Sequence, residues 1–213
     1  MSFFEQIDPV VGSADAFPGG LGAGANLRTP CGPRRVENVR PGDMIVTRGN
    51  GLQPVRLVWR RTLTPEAVRA TPALAPVRLT PRALGPMMPQ HPLLLAPDHR
   101  MLIPGWRLAD WPEDMPALVA AAEFAGVSDA AYIDRAGDGM TFYQFVFDFP
   151  QVLTVNGLPV ESLVPDQQVI ATLGLAERES LWQRFPQLKR DPSAYPPVEY
   201  RAAAEVEFRP IQP

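Results

Sequence analysis

The sequence predicts an all-β fold made of many short strands, followed by short C-terminal helices. Two clusters of glycine and proline, at 30–33 and 41–43, enclose a short segment of polar and apolar residues, and an apolar strand follows at once. Such clusters form tight turns between half-buried strands. The 26 prolines of this 213-residue chain are spread among β-branched and aromatic residues, which favours a fold rich in turns over disorder.

Strands are predicted where apolar residues recur between two such breakers. They cover residues 26–29, 34–37, 43–48, 54–63, 77–79, 93–95, 100–103, 131–134, 140–148, 153–155 and 158–163. Glycine-containing turns are predicted at 49–51 and 137–139, and Asn156-Gly157 between the last two strands is the strongest short signal for a hairpin. Both faces of 140–148 are largely apolar, so this strand is predicted to be buried.

Helix signals occur in three regions. Pro65 begins a predicted helix over 65–71, and Pro116 and Gly126 bound another over 115–125. After Pro165 the pattern favours two short helices, at 166–175 and 176–188, and then a proline-rich tail.

The chain is therefore divided into three predicted segments. Residues 1–19 form a flexible lead-in, residues 20–165 a β domain, and residues 166–213 a helical and proline-rich C-terminal extension. The glycine-rich residues up to 25 offer little to bury, so the β-rich part is predicted to begin near residue 26.

The composition excludes several classes of function. A net charge of −3 and a pI near 5.4 are unlike the basic surfaces that bind nucleic acids. The chain has no run of about 18 apolar residues, so no membrane span is predicted. Its N-terminal residues lack the basic region of a secretory signal peptide, so we expect a protein that is cytoplasmic or is secreted without one. The single cysteine, Cys31, cannot form an internal disulfide, which leaves the redox compartment undecided.

Four stretches of the chain resemble the Hint superfamily, the module shared by hedgehog autoprocessing domains and inteins, and most closely its bacterial members. They are TPCGPRRVENVRPGDMIVTRGNGLQPV (29–55), LLAPDHRMLI (94–103), FYQFVFD (142–148) and VLTVNGLPVESL (152–163). Their order and spacing are similar to those of the family over residues 20–165. The resemblance implies an all-β horseshoe with pseudo-twofold symmetry, in which the chain ends meet near one site.

The chemistry that this resemblance implies is an acyl shift. A cysteine or serine at the start of the module attacks the preceding peptide carbonyl, and a histidine in the second stretch protonates the departing amide nitrogen. A thiol, alcohol or water then resolves the ester. Such a site needs a nucleophile, a general acid within hydrogen-bonding reach and stabilisation of the oxyanion.

The resemblance places the general acid at His99, with Asp98 beside it as a residue that could orient the site or pair with a charge in it. The family's threonine, three residues before that histidine, is Ala96 here. Counting back from Thr29-Pro30, the expected position of the nucleophile is Gly20, which has no side chain to attack with. We therefore predict that no thioester can form at this position.

Two further departures concern the later part of the module. The late strand of bacterial members often carries histidines, and the nearest positions here are Gln144 and Pro150. Residues 160–163, Val-Glu-Ser-Leu, lack the His-Asn ending that splicing inteins use to cyclise asparagine. We therefore predict that the chain does not splice either.

The other reactive residues have plainer interpretations. His99 lies beside apolar strands, so the alternative to a catalytic role is a purely structural histidine, buried or at the rim of the core. His91 and His99, with one aspartate between them, are too few ligands for a metal, and no cofactor is expected. Cys31 lies in a predicted hairpin turn, where we expect no catalytic role for it. Ser13 would act as a nucleophile only if the register of the lead-in differed.

The sequence thus predicts a Hint-like domain without self-splicing that serves as an interaction or structural module for an unidentified protein partner. The first alternative is autoproteolysis of the N-terminal segment, with His99 as general acid and water or a hydroxyl as the attacking group. A third interpretation is a β domain that binds a small molecule in a cleft around His99. If the rest of the site is intact, Gly20→Cys is expected to restore thiol-sensitive cleavage.

Overall fold

Short strands make up most of the computed structural model, which describes residues 10–12, 18–135 and 139–210. Within these residues the strands are β1 (Val10–Gly12), β2 (Leu21–Gly22), β3 (Asn26–Thr29), β4 (Gly32–Arg35), β5 (Met44–Thr47), β6 (Gly51–Pro54), β7 (Leu57–Leu63), β8 (Val77–Leu79), β9 (Leu93–Leu95), β10 (Arg100–Ile103), β11 (Ala117–Ala120), β12 (Ala131–Ile133), β13 (Met140–Val146), β14 (Val152–Val155) and β15 (Leu158–Glu161).

The helices of the described residues are few and short. They are α1 (Pro65–Ala70), α2 (Ala121–Phe124), α3 (Gln167–Thr172), α4 (Leu175–Arg184) and α5 (Pro186–Arg190), with single 3-10 turns at Val36–Asn38, Pro72–Leu74 and Gly105–Arg107. Thr64 caps α1 by accepting the Ala67 N–H, and Asp166 caps α3 by accepting the Val169 N–H. None of these helices has the length and apolar character needed to cross a membrane.

The strands form two sheets. One has seven strands in the order β1-β7-β13-β2-β9-β8-β12. The other contains eight, in the order β11-β10-β15-β14-β3-β4, with β5 pairing with β14 and β6 joining β5. Strand pairs are antiparallel apart from β1 and β7, which run parallel. The predicted all-β class is confirmed.

Apolar side chains from both sheets share one core. It includes buried residues of β2, β3, β5, β8, β10, β13 and β14, among them Leu21, Leu27, Ile45, Leu79, Met101, Phe145 and Val155. Burial of these side chains is the main source of stability for a fold with so little helix.

The predicted hairpin over 153–163 is confirmed. Asn156 and Gly157 join β14 to β15 with φ values of 46° and 85°, the paired positive angles that a tight hairpin turn requires. The buried Asn156 side chain also accepts the Asn26 N–H at 2.9 Å and donates to the Pro92 carbonyl at 2.9 Å. The predicted burial of strand 140–148 is confirmed too, since Phe142 to Val146 are all buried.

Three predicted elements are wrong. Residues 115–125 are not one helix, because Ala117–Ala120 pair with β10 and bond to the C-terminal tail through Leu118, so strand pairing outweighs the helical propensity of alanine. The predicted strand 54–63 is divided between β6 and β7, which lie in different sheets. The β-rich part begins before residue 26, because β2 lies between β13 and β9 with Leu21 buried. The predicted turn at 137–139 falls largely outside the described residues.

The C-terminal extension contains three helices rather than the two predicted, because Pro186 ends α4 and starts α5. Its apolar side chains pack on Trp59 and Val146 of the seven-stranded sheet. The tail after α5 is bound to the domain as well: the Tyr195 hydroxyl donates to the Phe147 carbonyl at 2.8 Å, and Phe208 pairs with Leu108. Residues 166–210 therefore lie against the β domain, and the division at residue 165 stays a prediction.

The predicted lead-in over 1–19 lies mostly outside the described residues. Within it the backbone of Val10–Gly12 pairs with β7, and Pro18 and Gly19 precede β2. Its flexibility stays a prediction.

Candidate functional site

His99 lies where the chain passes from one sheet to the other. The turn 96–99 connects β9 of the seven-stranded sheet to β10 of the eight-stranded sheet. The backbone N–H of His99 donates to the Ala96 carbonyl at 3.0 Å, and its carbonyl accepts the Ala121 N–H at 2.9 Å. These bonds fix the backbone of His99, whose side chain is 2% exposed.

The imidazole of His99 faces the backbone of Gly20. The Gly20 N–H donates to Nδ1 at 3.1 Å. Since Nδ1 accepts this bond, the proton of the neutral ring is assigned to Nε2. Nε2 is buried and has no hydrogen-bond partner among the described residues.

Burial, together with the nearby guanidinium groups of Arg100 and Arg61, lowers the pKa of His99 from 6.5 to about 3. The ring is therefore neutral at pH 7. In this state Nδ1 can hold the Gly20 N–H but carries no proton to give to a departing nitrogen.

Three side chains bind backbone groups of three consecutive residues around the Gly19–Gly20 peptide bond. Gln144 Nε2 donates to the Pro18 carbonyl at 2.9 Å, and Arg61 Nη2 donates to the Gly19 carbonyl at 3.1 Å. The third contact is the bond from Gly20 to His99. We call this set the backbone clasp. It joins β7, β13 and the turn 96–99 around the segment that leads into β2.

The backbone clasp is shaped for glycine. Gly19 and Gly20 have φ values of 70° and 143°, in the region that favours glycine. A Cβ at position 19 would lie 2.5 Å from Gln144 Nε2 and 3.0 Å from His99 Nδ1. At position 20 it would lie 2.7 Å from the Cβ of Phe142, which is fixed to β13 and cannot rotate away. A residue with a nucleophilic side chain therefore does not fit at position 20 while the clasp is formed.

A cleft opens beside the clasp. The residues that line it include the polar Asp98, His99, Arg100 and Glu161 and the apolar Leu163 and Val164. Glu161 accepts a 2.6 Å bond from Arg100 Nε, while its other oxygen is buried without a partner among the described residues. Burial raises the pKa of Glu161 to about 7, although Arg100 opposes this shift and Asp166 adds to it.

The structure brings together only part of the predicted set. His99 and Gly20 meet, as the resemblance implies. Asp98 lies at the exposed rim of the cleft and makes no hydrogen bond or ion pair within the described residues, so a role for it stays a prediction. Cys31 is exposed in the turn between β3 and β4, and His91 is exposed just before β9. No group of three histidine, cysteine, aspartate or glutamate side chains that could hold a metal occurs in the described part of the chain.

Sequence reasoning missed Arg61 and Glu161. The alternation of β7 places Arg61 on the same buried face as Leu57, Trp59 and Leu63. An arginine among apolar residues on one face of a strand is unusual, and this pattern in the sequence could have indicated a buried role for Arg61. Glu161 follows Val160, which is also buried, so alternation gives no such signal for it.

The profile of the Hint domain family matches residues 20–167. This chain belongs to the Hint domain family. The match covers more than half of the chain and begins at Gly20, the residue whose N–H meets His99. No curated protein matches the chain significantly.

Several solved structures are similar to this Hint domain. A bacterial intein-like domain from Clostridium thermocellum is 14% identical, with 68% of this chain and 98% of that one covered and a TM-score of 0.43. The gp41-1 intein is 13% identical, with 67% and 98% covered and a TM-score of 0.41. The MchDnaB-1 intein is 11% identical, with 66% and 98% covered and a TM-score of 0.40.

Proposed function

We propose that this chain is a Hint domain without self-splicing, which holds its N-terminal segment uncleaved and serves as an interaction or structural module. The observation that carries the proposal is Gly20 in the backbone clasp. The peptide bond at which the family's acyl shift would occur is held by Arg61 and His99, but the residue after it has no nucleophile.

Cys31 does not replace the missing nucleophile, and Ser13 lies outside the residues that the structure describes. Cys31 is exposed at the far end of the β3–β4 hairpin, and the clasp leaves no room for a Cβ on Gly20. The state of His99 also opposes the reaction, because a neutral ring with an acceptor at Nδ1 cannot protonate the departing Gly20 nitrogen.

The later steps of splicing lack their reagent too. Glu161, Ser162 and Leu163 line the cleft where the β domain ends, and none of them carries the side-chain amide that asparagine cyclisation uses.

Intact mass spectrometry tests this proposal. The purified chain is incubated for days at pH 7 with and without dithiothreitol. We expect the full-length mass in both samples. Loss of residues 1–19, with or without the thiol, would overturn the proposal.

The second candidate function is cleavage of the Gly19–Gly20 bond by water. It is favoured by the guanidinium of Arg61 on the Gly19 carbonyl, which would stabilise the oxyanion formed when water adds to the carbonyl carbon. Nδ1 of His99 would take the proton that the water gives up and pass it to the Gly20 nitrogen, so that the C–N bond breaks and the nitrogen leaves as an amine. This candidate predicts that residues 1–19 are released without thiol, and that His99→Ala stops the release whereas His91→Ala does not.

A further inference from the structure

The outer edge of β7 pairs with a short strand from the N-terminal segment, β1. On its inner side β7 pairs with β13 over seven residues, from Leu57↔Val146 to Leu63↔Met140. On its outer side it pairs with β1 over three residues, from Val10↔Trp59 to Gly12↔Arg61. β1 therefore ends the seven-stranded sheet, and it comes from the N-terminal segment rather than from the β domain.

This pairing has the features of a strand added to a sheet from outside. Among the named strands of the described residues, β1 and β7 form the one parallel pair in two otherwise antiparallel sheets. Parallel pairing is slightly less stable per residue than antiparallel pairing, and three residues give few hydrogen bonds. The backbone of β1 pairs with the free edge of β7, which is also how extended peptides dock on sheet edges.

The edge lies next to the backbone clasp. Arg61 is the register partner of Gly12, and its guanidinium binds the Gly19 carbonyl. The clasp fixes Pro18 to Gly20, so the strand that fills the edge is tethered close to it. A tether this short gives an effective concentration on the order of millimolar, enough to keep a weakly bound strand in place and to exclude competitors.

We propose that the outer edge of β7 is a docking site for an extended peptide strand in parallel orientation, filled here by the chain's own residues 10–12. This inference rests on the proposed role as an interaction module and specifies its partner as a peptide segment recognised through its backbone. The chain's own strand occupies the site until it is displaced.

The test uses the full chain with Val11→Pro/Gly12→Pro. In a parallel pair only every second residue of β1 donates its N–H to β7. Val11 and Gly12 are consecutive, so one of the two prolines removes such a donor whichever residue carries it. A fluorescent peptide of residues 5–16 is then titrated against the variant and the wild-type chain. The matched control peptide carries the same two prolines. Circular dichroism and thermal unfolding show whether the variant is folded.

We expect the peptide to bind the variant saturably, with at least tenfold weaker binding to the wild-type chain and none for the proline peptide. A folded variant that does not bind, or equal binding to both chains, would overturn the inference. A variant that dimerises without binding the peptide would assign the edge to a second copy and overturn it too. The intact-mass experiment is independent of all these outcomes, so failure here leaves the absence of cleavage standing.

Discussion

The backbone N–H of Gly20 donates to Nδ1 of His99 at 3.1 Å, joining residues 79 positions apart in the sequence. This bond joins the first residue of the Hint match to the stretch 94–103, and it makes the imidazole of His99 an acceptor for a main-chain group. Because the bond requires a neutral ring, the chemistry of the site and the stability of the fold depend on the same proton.

The first prediction concerns pH. The pKa of His99 is about 3 in the folded chain and 6.5 when unfolded, so between these values the unfolded chain binds the extra proton and stability falls as pH falls. This costs about 2 kcal/mol between pH 7 and pH 5. His99→Gln keeps an acceptor but does not titrate. The stability advantage of the wild type over this variant should therefore shrink by about 2 kcal/mol, measured by urea unfolding at the two pH values.

Comparison with a variant is needed because Glu161 has the opposite effect. Its raised pKa of about 7 means that the folded chain binds the extra proton between pH 4.5 and 7. The contribution of Glu161 to the stability of the folded chain therefore falls as pH rises. The two contributions largely cancel in the wild type. An advantage over His99→Gln that is unchanged between pH 5 and pH 7 would show that His99 titrates normally.

The second prediction concerns Gly20. Gly20→Cys should destabilise the chain by about 3 kcal/mol or more, through the clash with Phe142 and the positive φ, and should not restore thiol-sensitive cleavage. Gly24→Cys is the matched control, since Gly24 has a φ of 87° and nothing lies within 4 Å of its added Cβ. It should cost about 1 kcal/mol. Thermal unfolding and intact mass after thiol treatment measure both effects. Thiol-dependent release of residues 1–19 from Gly20→Cys would contradict the clasp geometry.

The third prediction couples Gly19 to Gln144. Gly19→Ala should push away the Gln144 amide, which lies 2.5 Å from the new Cβ, and break its bond to the Pro18 carbonyl. The cost of Gly19→Ala should therefore be smaller in a Gln144→Ala background, with a coupling of about 1 kcal/mol in a double-mutant cycle. Additive effects would mean that Gln144 does not shape position 19.

The fourth prediction concerns the C-terminal extension. Tyr195→Phe leaves the Phe147 carbonyl without its donor and should cost about 1–2 kcal/mol, whereas Tyr132→Phe at an exposed site should cost little. Burial raises the pKa of Tyr195 well above its ordinary value of 10, and Asp148 adds to this shift. The tyrosinate absorbance gained between pH 9 and pH 11 should then be equal in the wild type and Tyr195→Phe. A smaller gain in the variant would show that the tail is not docked.

The hairpin at Asn156-Gly157 and the buried strand β13 could be predicted because turn chemistry and alternation are local properties. The meeting of His99 with position 20 followed from the resemblance. The stretch 115–125 could not be assigned correctly, because the alanine-rich segment becomes a strand through pairing with β10 and the distant tail. Likewise, the roles of Arg61 and Gln144 depend on the order β7-β13-β2 in the sheet, which no local pattern specifies.

The most direct test of the central claim is an NMR measurement of the bond between Gly20 and His99 in uniformly 15N-labelled chain. A His91→Gln background leaves one imidazole to assign. We expect a Gly20 amide resonance coupled to His99 Nδ1, with Nδ1 in the unprotonated acceptor state at pH 7 and at pH 5. A missing Gly20 amide, as for a newly formed α-amine, or a proton on Nδ1, would contradict it.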